Sequence, residues 1–125
     1  MSPGVRLNLA VAAGAALGSV LRYLASLAGL ALLGAQFPVG TLVVNIVGSF
    51  IIGWLARREI AGAFGQTASA FWLAGFCGGL TTFSVFSLES LLFLQDGQPA
   101  LAALYVIGSL CLWIGGAALG WRIGT

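Results

Sequence analysis

Residues 75–89 read Gly75-Phe76-Cys77-Gly78-Gly79-Leu80-Thr81-Thr82-Phe83-Ser84-Val85-Phe86-Ser87-Leu88-Glu89, inside an apolar segment that runs from 69 to 94. Paired glycines cost a helix about 1 kcal/mol each relative to alanine. Thr81 and Thr82, just after them, are residues of the kind that cap a new helical segment. The pattern predicts a helix interrupted at Gly78-Gly79, in mid-membrane. Backbone without helical bonds survives at that depth only where protein or a water-filled cavity satisfies its peptide groups. Such an interruption frees carbonyls at the end of the first half-helix and N–H groups at the start of the second, so one break offers both a cation site and an anion site. A glycine kink that serves packing alone is the competing reading.

The composition places this segment in a bilayer. Only 6% of the chain is charged and 60% is hydrophobic, whereas soluble domains carry about a quarter of their residues as charged side chains. Four apolar segments cover residues 7–34, 37–56, 69–94 and 100–121. Each reaches the 20 or so residues that a helix needs to cross about 30 Å of hydrocarbon. The first runs past the length of a signal peptide, and none alternates as a barrel strand would. The predicted fold is an all-α membrane protein of four transmembrane helices, the third broken, forming one domain over residues 1–125.

The connections at 35–36, 57–68 and 95–99 are short, so successive helices are antiparallel neighbours. Arg6, Arg57, Arg58 and Arg122 all fall at the end that holds both termini, and the opposite loops contain no Lys or Arg. The positive-inside rule puts that end in the cytoplasm. Arg22 lies about 22 Å into the first helix, within reach of water at the far interface. The pentapeptide Gly-Ala-Ala-Leu-Gly occurs at 14–18 and again at 116–120, and both copies are small-xxx-small patterns that let helix backbones approach closely in lipid.

Polar residues inside the spans mark the remaining candidates. Thr41, Asn45 and Ser49 recur every four residues in the second span and form one stripe. It is either a hydrogen-bonded helix contact or the wall of a polar pathway. Tyr105 and Ser109 repeat the pattern more weakly in the fourth span, although a membrane serine often bonds only to its own backbone. Phe83 and Phe86 are about 60° apart around the helix, flanked by Ser84, Ser87 and Glu89. The positive edge of a phenylalanine ring can hold a small anion loosely, and weak coordination suits conduction. Glu89 is a carboxylate inside a span, either functional or hydrogen-bonded to a neighbouring helix.

Whole classes of function drop out. Five arginines and a net charge of +2 are too little basic charge for nucleic acid. Histidine is absent and the two cysteines, Cys77 and Cys111, lie in apolar runs, where they read as small packing residues rather than zinc or haem ligands. No nucleophile and base can be assembled from what remains, so the chain is not read as an enzyme. Two other membrane functions stay open: a proton-coupled exporter of organic cations, for which Glu89 is the sole carboxylate, and a non-transporting assembly subunit.

The segments 14–22, 40–45 and above all 75–89 resemble, in order and spacing, the signatures of the Fluc fluoride channels, also called the CrcB family. The resemblance covers essentially the whole chain. It implies a fluoride-specific channel of the cell inner membrane that passively exports cytoplasmic fluoride and lowers its toxicity. The implied assembly is an antiparallel, dual-topology homodimer with two fluoride pathways along the subunit interface. The implied cofactor is one structural sodium ion at the dimer centre, held by the backbone carbonyls of Gly78 and Thr81. Carried over by position, the fluoride pathway falls on Phe83, Phe86, the pore residue Asn45 and the vestibule residue Arg22, with Tyr105, Ser109, Thr41 and Ser84 as further candidates for its polar track. Dual insertion usually goes with almost no arginine bias. Here the bias favours termini inside by four to none, or four to one if Arg22 reaches the far face. Either packing overrides that bias, or the partner is an oppositely biased homologous subunit.

Overall fold

A computed structural model describes all 125 residues. Helix α1 (Pro3–Leu33) starts at a Ser2 cap, whose Oγ accepts from the Val5 N–H, with Pro3 in the first helical position. Helix α2 (Val39–Ile60) follows, and the third span (Gln66–Gln95) is made of α3 (residues 66–80) and α4 (Ser84–Gln95). Helix α5 (Pro99–Ile123) completes four spans with no strand. The three connections each contain one glycine in the left-handed region, Gly34, Gly62 and Gly97, a backbone that L side chains resist.

The spans are longer than their apolar cores. α2 in particular continues through Arg57 and Arg58, expected in the loop, to Ile60. Cations suit the carbonyl end of a helix. Both guanidinium groups also lie over indole rings, Arg57 5.2 Å from the Trp121 centroid and Arg58 4.9 Å from that of Trp54. The Arg57–Trp121 contact joins the ends of α2 and α5.

The break does not fall at the glycines. Helical backbone continues through Gly78 and Gly79 to Leu80, preceded by a wider π-helical stretch, Ala70–Cys77. Thr81 is the first extended residue, at φ −86° and ψ 157°. The physical reason is a glycine-on-glycine seam with α1. A Cβ on Gly14 would run into the backbone of Phe71 and Phe76, one on Gly18 into Phe76 and Leu80, and one on Gly79 into Ala15. Close helix contact therefore outweighs the low helix propensity of glycine here. The second pentapeptide works the same way against α2, since a Cβ on Gly120 would strike Phe50 and Trp54.

Two buried clusters result. Val44, Leu55, Phe76, Cys77 and Leu80 fill the α1–α2–α3 side, and Phe86, Phe93, Ala102 and Tyr105 fill the side between α4 and α5. Cys77 belongs to the first, and Cys111 is exposed. Leucines, valines and isoleucines stand exposed along every span, as expected of helices whose outer solvent is lipid.

Candidate functional site

Asn45 organises the break. It is 2% exposed, and its side-chain amide grips one residue of the third span from both sides. Oδ1 accepts from the Thr82 N–H at 2.8 Å, and Nδ2 donates to the Thr82 carbonyl at 2.9 Å. A side chain on α2 thus takes the place of the helical partners that Thr82 gives up. Gly48, one turn along, leaves room for the Thr81 methyl group, which a Cβ there would strike.

Neighbouring groups cap what the interruption frees. The Thr81 hydroxyl donates back to the Cys77 carbonyl at 2.8 Å. The Gly79 carbonyl accepts from Arg22 Nε at 3.1 Å and from Ser19 Oγ at 3.5 Å. Arg22, expected within reach of water at the far interface, donates its Nε to this helix end and leaves its two Nη groups outside that bond. On the other side of the break, Thr82 Oγ1 accepts from the Val85 N–H at 3.2 Å and lies 3.3 Å from Ser84 Oγ. Of the two threonines expected to cap α4, Thr82 does so.

The carbonyls of Gly78 and Thr81 accept no backbone hydrogen bond. Gly78 is exposed, with open space where a Cβ would stand. Both residues line a cleft of about 440 Å³ together with Asn45, Ser49, Thr82 and Phe83. Backbone carbonyls without a protein donor, on residues that line a cleft, are ligands of the kind that a hard cation such as sodium would accept.

The two phenylalanines split in environment. Phe83 is 67% exposed and Phe86 only 3%, with ring centroids 5.6 Å apart. From Phe86 a chain of aromatic contacts continues to Tyr105 at 5.1 Å and on to Phe37 at 5.3 Å. Glu89 sits beside this chain. Its Oε2 accepts from Thr41 and its Oε1 from the Tyr105 hydroxyl, each at 3.0 Å. A second cleft of about 760 Å³ reaches Thr41 and Glu89 from the end that carries Gln36, Asp96 and Gln98.

The structure therefore brings Asn45, Gly78, Thr81 and Phe83 to one cleft at the break, sets Ser84 beside Thr82, and joins Phe86, Thr41 and Tyr105 across α2, α4 and α5 around Glu89; Ser109 is buried on α5. Two partnerships were not readable from the sequence. Thr82 was marked as a cap, but its bonds to Asn45 run through its peptide group, which leaves no side-chain signature. Glu89 was marked, but its partners Thr41 and Tyr105 lie 48 and 16 residues away, and only the fold pairs them.

The cap at Thr82 gives a measurable expectation. Thr82→Val keeps the shape and both backbone bonds to Asn45 but removes the hydroxyl that receives Val85. Loss of such a cap costs about 1 kcal/mol, so the melting temperature in detergent should fall. Thr81→Val, which loses only a bond back to its own helix, should lower it less.

A family model described as "CrcB-like protein, Camphor Resistance (CrcB)" matches residues 9–121. A fluoride-specific ion channel FluC from Thermus thermophilus is 47% identical over 121 residues, 97% of this chain and 95% of that protein. Its counterpart in Nitrobacter winogradskyi is 46% identical over 116 residues, 92% of each chain, and that of Shewanella amazonensis is 43% identical over 115 residues, 92% of this chain and 93% of that protein. These relatives are named as ion channels, in keeping with the reading that the chain is not an enzyme. Four apolar spans, a break held by Asn45 and near full-length similarity to those channels lead to one conclusion: this multi-pass membrane protein belongs to the CrcB family.

Proposed function

We propose that the protein is a fluoride-specific channel that lets cytoplasmic fluoride leave passively across the cell inner membrane, and that it works as a dimer. The observation that carries the reading is the unwound backbone at Thr81–Thr82, gripped by Asn45 beside Phe83 and Phe86. The names of the near full-length relatives supply the ion.

Fluoride enters acid-exposed cells as neutral HF and is trapped when it ionises, so an open pathway suffices for export. Arg22 raises the local anion concentration at the vestibule through its Nη groups. Hydroxyl and amide groups replace the hydration shell, and the ring edges of Phe83 and Phe86 hold the ion loosely enough to let it go. Ser84, Thr41, Tyr105 and Ser109 are further places for polar contact. Glu89, with a hydroxyl on each oxygen, is suited to fixing Thr41 and Tyr105 in place, which speaks against its use as the free carboxylate of a proton-coupled exporter.

The chemistry of the open cleft supports a dimer. Lipid cannot satisfy the carbonyls of Gly78 and Thr81 or the exposed hydroxyl of Ser84, and a second copy in antiparallel orientation would cover them. Those two carbonyls would hold the structural sodium ion, whose charge would offset the negative, carbonyl end of α3. Exhaustive removal of sodium is then expected to reduce fluoride flux or to dissociate the dimer, read by liposome efflux and size-exclusion chromatography. Indifference of both to sodium would count against Gly78 and Thr81 as ligands.

The channel itself is tested in liposomes loaded with fluoride and read with a fluoride electrode. Rapid, protein-dependent fluoride release with chloride retained is expected. Chloride leaving as fast as fluoride, or fluoride not leaving, defeats the proposal.

A further inference from the structure

Three arginines gather where α2 and α5 end. Arg57 and Arg58 stand in the last turn of α2, and Arg122 in the last turn of α5. The two ends touch. A Cβ on Gly124 would stand 3.0 Å from the Arg57 Cβ and 2.9 Å from the Trp54 carbonyl, and the Arg57 guanidinium lies over Trp121. Arg57 is half-buried, while Arg58 and Arg122 are exposed. Glu59 is the one acidic side chain at this end, whereas the loops of the opposite end carry Asp96 and no basic residue.

None of the three cations is spent inside the protein. No carboxylate oxygen comes within 4.0 Å of a guanidinium nitrogen, and of the five arginines only Arg22 hydrogen-bonds to a protein group. The helix ends do not call on them, since the N–H groups of Ala61 and Gly124 close the last turns onto the carbonyls of Arg57 and Gly120. What Arg57 and Arg58 meet instead are the rings of Trp121 and Trp54. A ring attracts the charge of a guanidinium and leaves its N–H donors unused. Two of the cations are therefore steadied by indoles and still have donors to offer.

Depth and charge decide what those donors can take. Tryptophan prefers the level of the lipid headgroups, and these residues stand at the last turns of helices long enough to cross the hydrocarbon. The acceptor found at that level is the phosphate of a phospholipid. A guanidinium can meet phosphate with two parallel N–H bonds, a match that an ammonium group lacks. Choline lipids bring a cation of their own beside the phosphate, which three arginines repel. A lipid with net negative charge brings none.

We propose that Arg57, Arg58 and Arg122 form a binding site for the phosphodiester of an anionic phospholipid, with Trp121 and Trp54 holding Arg57 and Arg58 in position. Arg57 lies twelve residues after Asn45, about 18 Å along the helix, so the site is separate from the break. It stands whether or not the chain conducts fluoride.

The test uses the full-length protein and native mass spectrometry from micelles that contain phosphatidylglycerol and phosphatidylcholine in equal amounts. Wild type is expected to retain phosphatidylglycerol at least tenfold over phosphatidylcholine. Arg57→Gln with Arg58→Gln should lower that preference about tenfold or more, while the elution volume stays that of wild type. Arg57→Lys, which keeps the charge but not the planar fork, should lower it several-fold. Equal retention of the two lipids by wild type overturns the proposal, as does an unchanged preference in the double variant. Full preference in Arg57→Lys overturns it too, because net charge alone would then be at work. If the double variant cannot be purified, wild-type protein with 15N-labelled arginine decides the matter. Arginine Nε–H resonances should move with short-chain phosphatidylglycerol and stay put with short-chain phosphatidylcholine. Equal movement with inorganic phosphate would mark a site for free anions rather than lipid and defeat the proposal.

Discussion

Asn45→Ala is expected to reduce fluoride release to the background leak of empty liposomes. The substitution removes both bonds to Thr82 at once and leaves an N–H and a carbonyl without partners in a partly buried site. Interhelical hydrogen bonds in membranes contribute about 1 kcal/mol each, and stranding the groups they served adds to that. The total loss is about 2–4 kcal/mol, enough to lower the melting temperature visibly without preventing assembly. Asn45→Asp separates the two bonds. It keeps an acceptor for the Thr82 N–H, loses the donor to the Thr82 carbonyl, and sets a carboxylate against the anion's route. It should retain more stability than the alanine variant and be as inactive. Wild-type flux in Asn45→Ala would show that the break is held by something other than this amide.

Gly18→Val should prevent accumulation of folded protein altogether. Its Cβ would collide with the Phe76 carbonyl and stand 2.6 Å from the Leu80 amide nitrogen, so backbone would have to move, not a side-chain tip. Overpacking of this kind costs about 3 kcal/mol or more, and α1 and α3 would separate along a seam that Gly14, Gly75 and Gly79 also form. Gly78→Ala is the matched comparison, because its Cβ would meet nothing within 4 Å. That variant should purify in wild-type yield, as measured by a single peak on size-exclusion chromatography. Equal yields from Gly18→Val and wild type would mean that the helices do not approach as described.

The contrast between these glycines shows what was legible in the chain and what was not. Apolar length announced four spans, and the small-xxx-small pentapeptides announced tight packing; both are local properties of sequence. The expected break at Gly78-Gly79 was displaced to Thr81 because glycine carries two meanings, weak helix and close contact, and only the identity of the facing residue decides between them. That facing residue is Ala15, 64 positions earlier by number. The Arg22 contact escaped for the same reason: its target is the Gly79 carbonyl, a backbone atom with no letter of its own. Glu89 was visible as an oddity, but its two hydroxyl partners become neighbours only after α2 and α5 close around it.

The cation–π contacts at the ends of α2 and α5 have a mechanical consequence. Arginine heads stacked on Trp121 and Trp54 belong at a headgroup boundary, where both partners resist being pulled into oil or out into water. One subunit is so moored at a single rim. In the antiparallel pair proposed above, the two moorings would pull toward opposite leaflets, and neither subunit could bob without dragging the other against its own tether. The unwound residues near the centre would then ride at a constant depth whatever the tension or thickness of the surrounding bilayer.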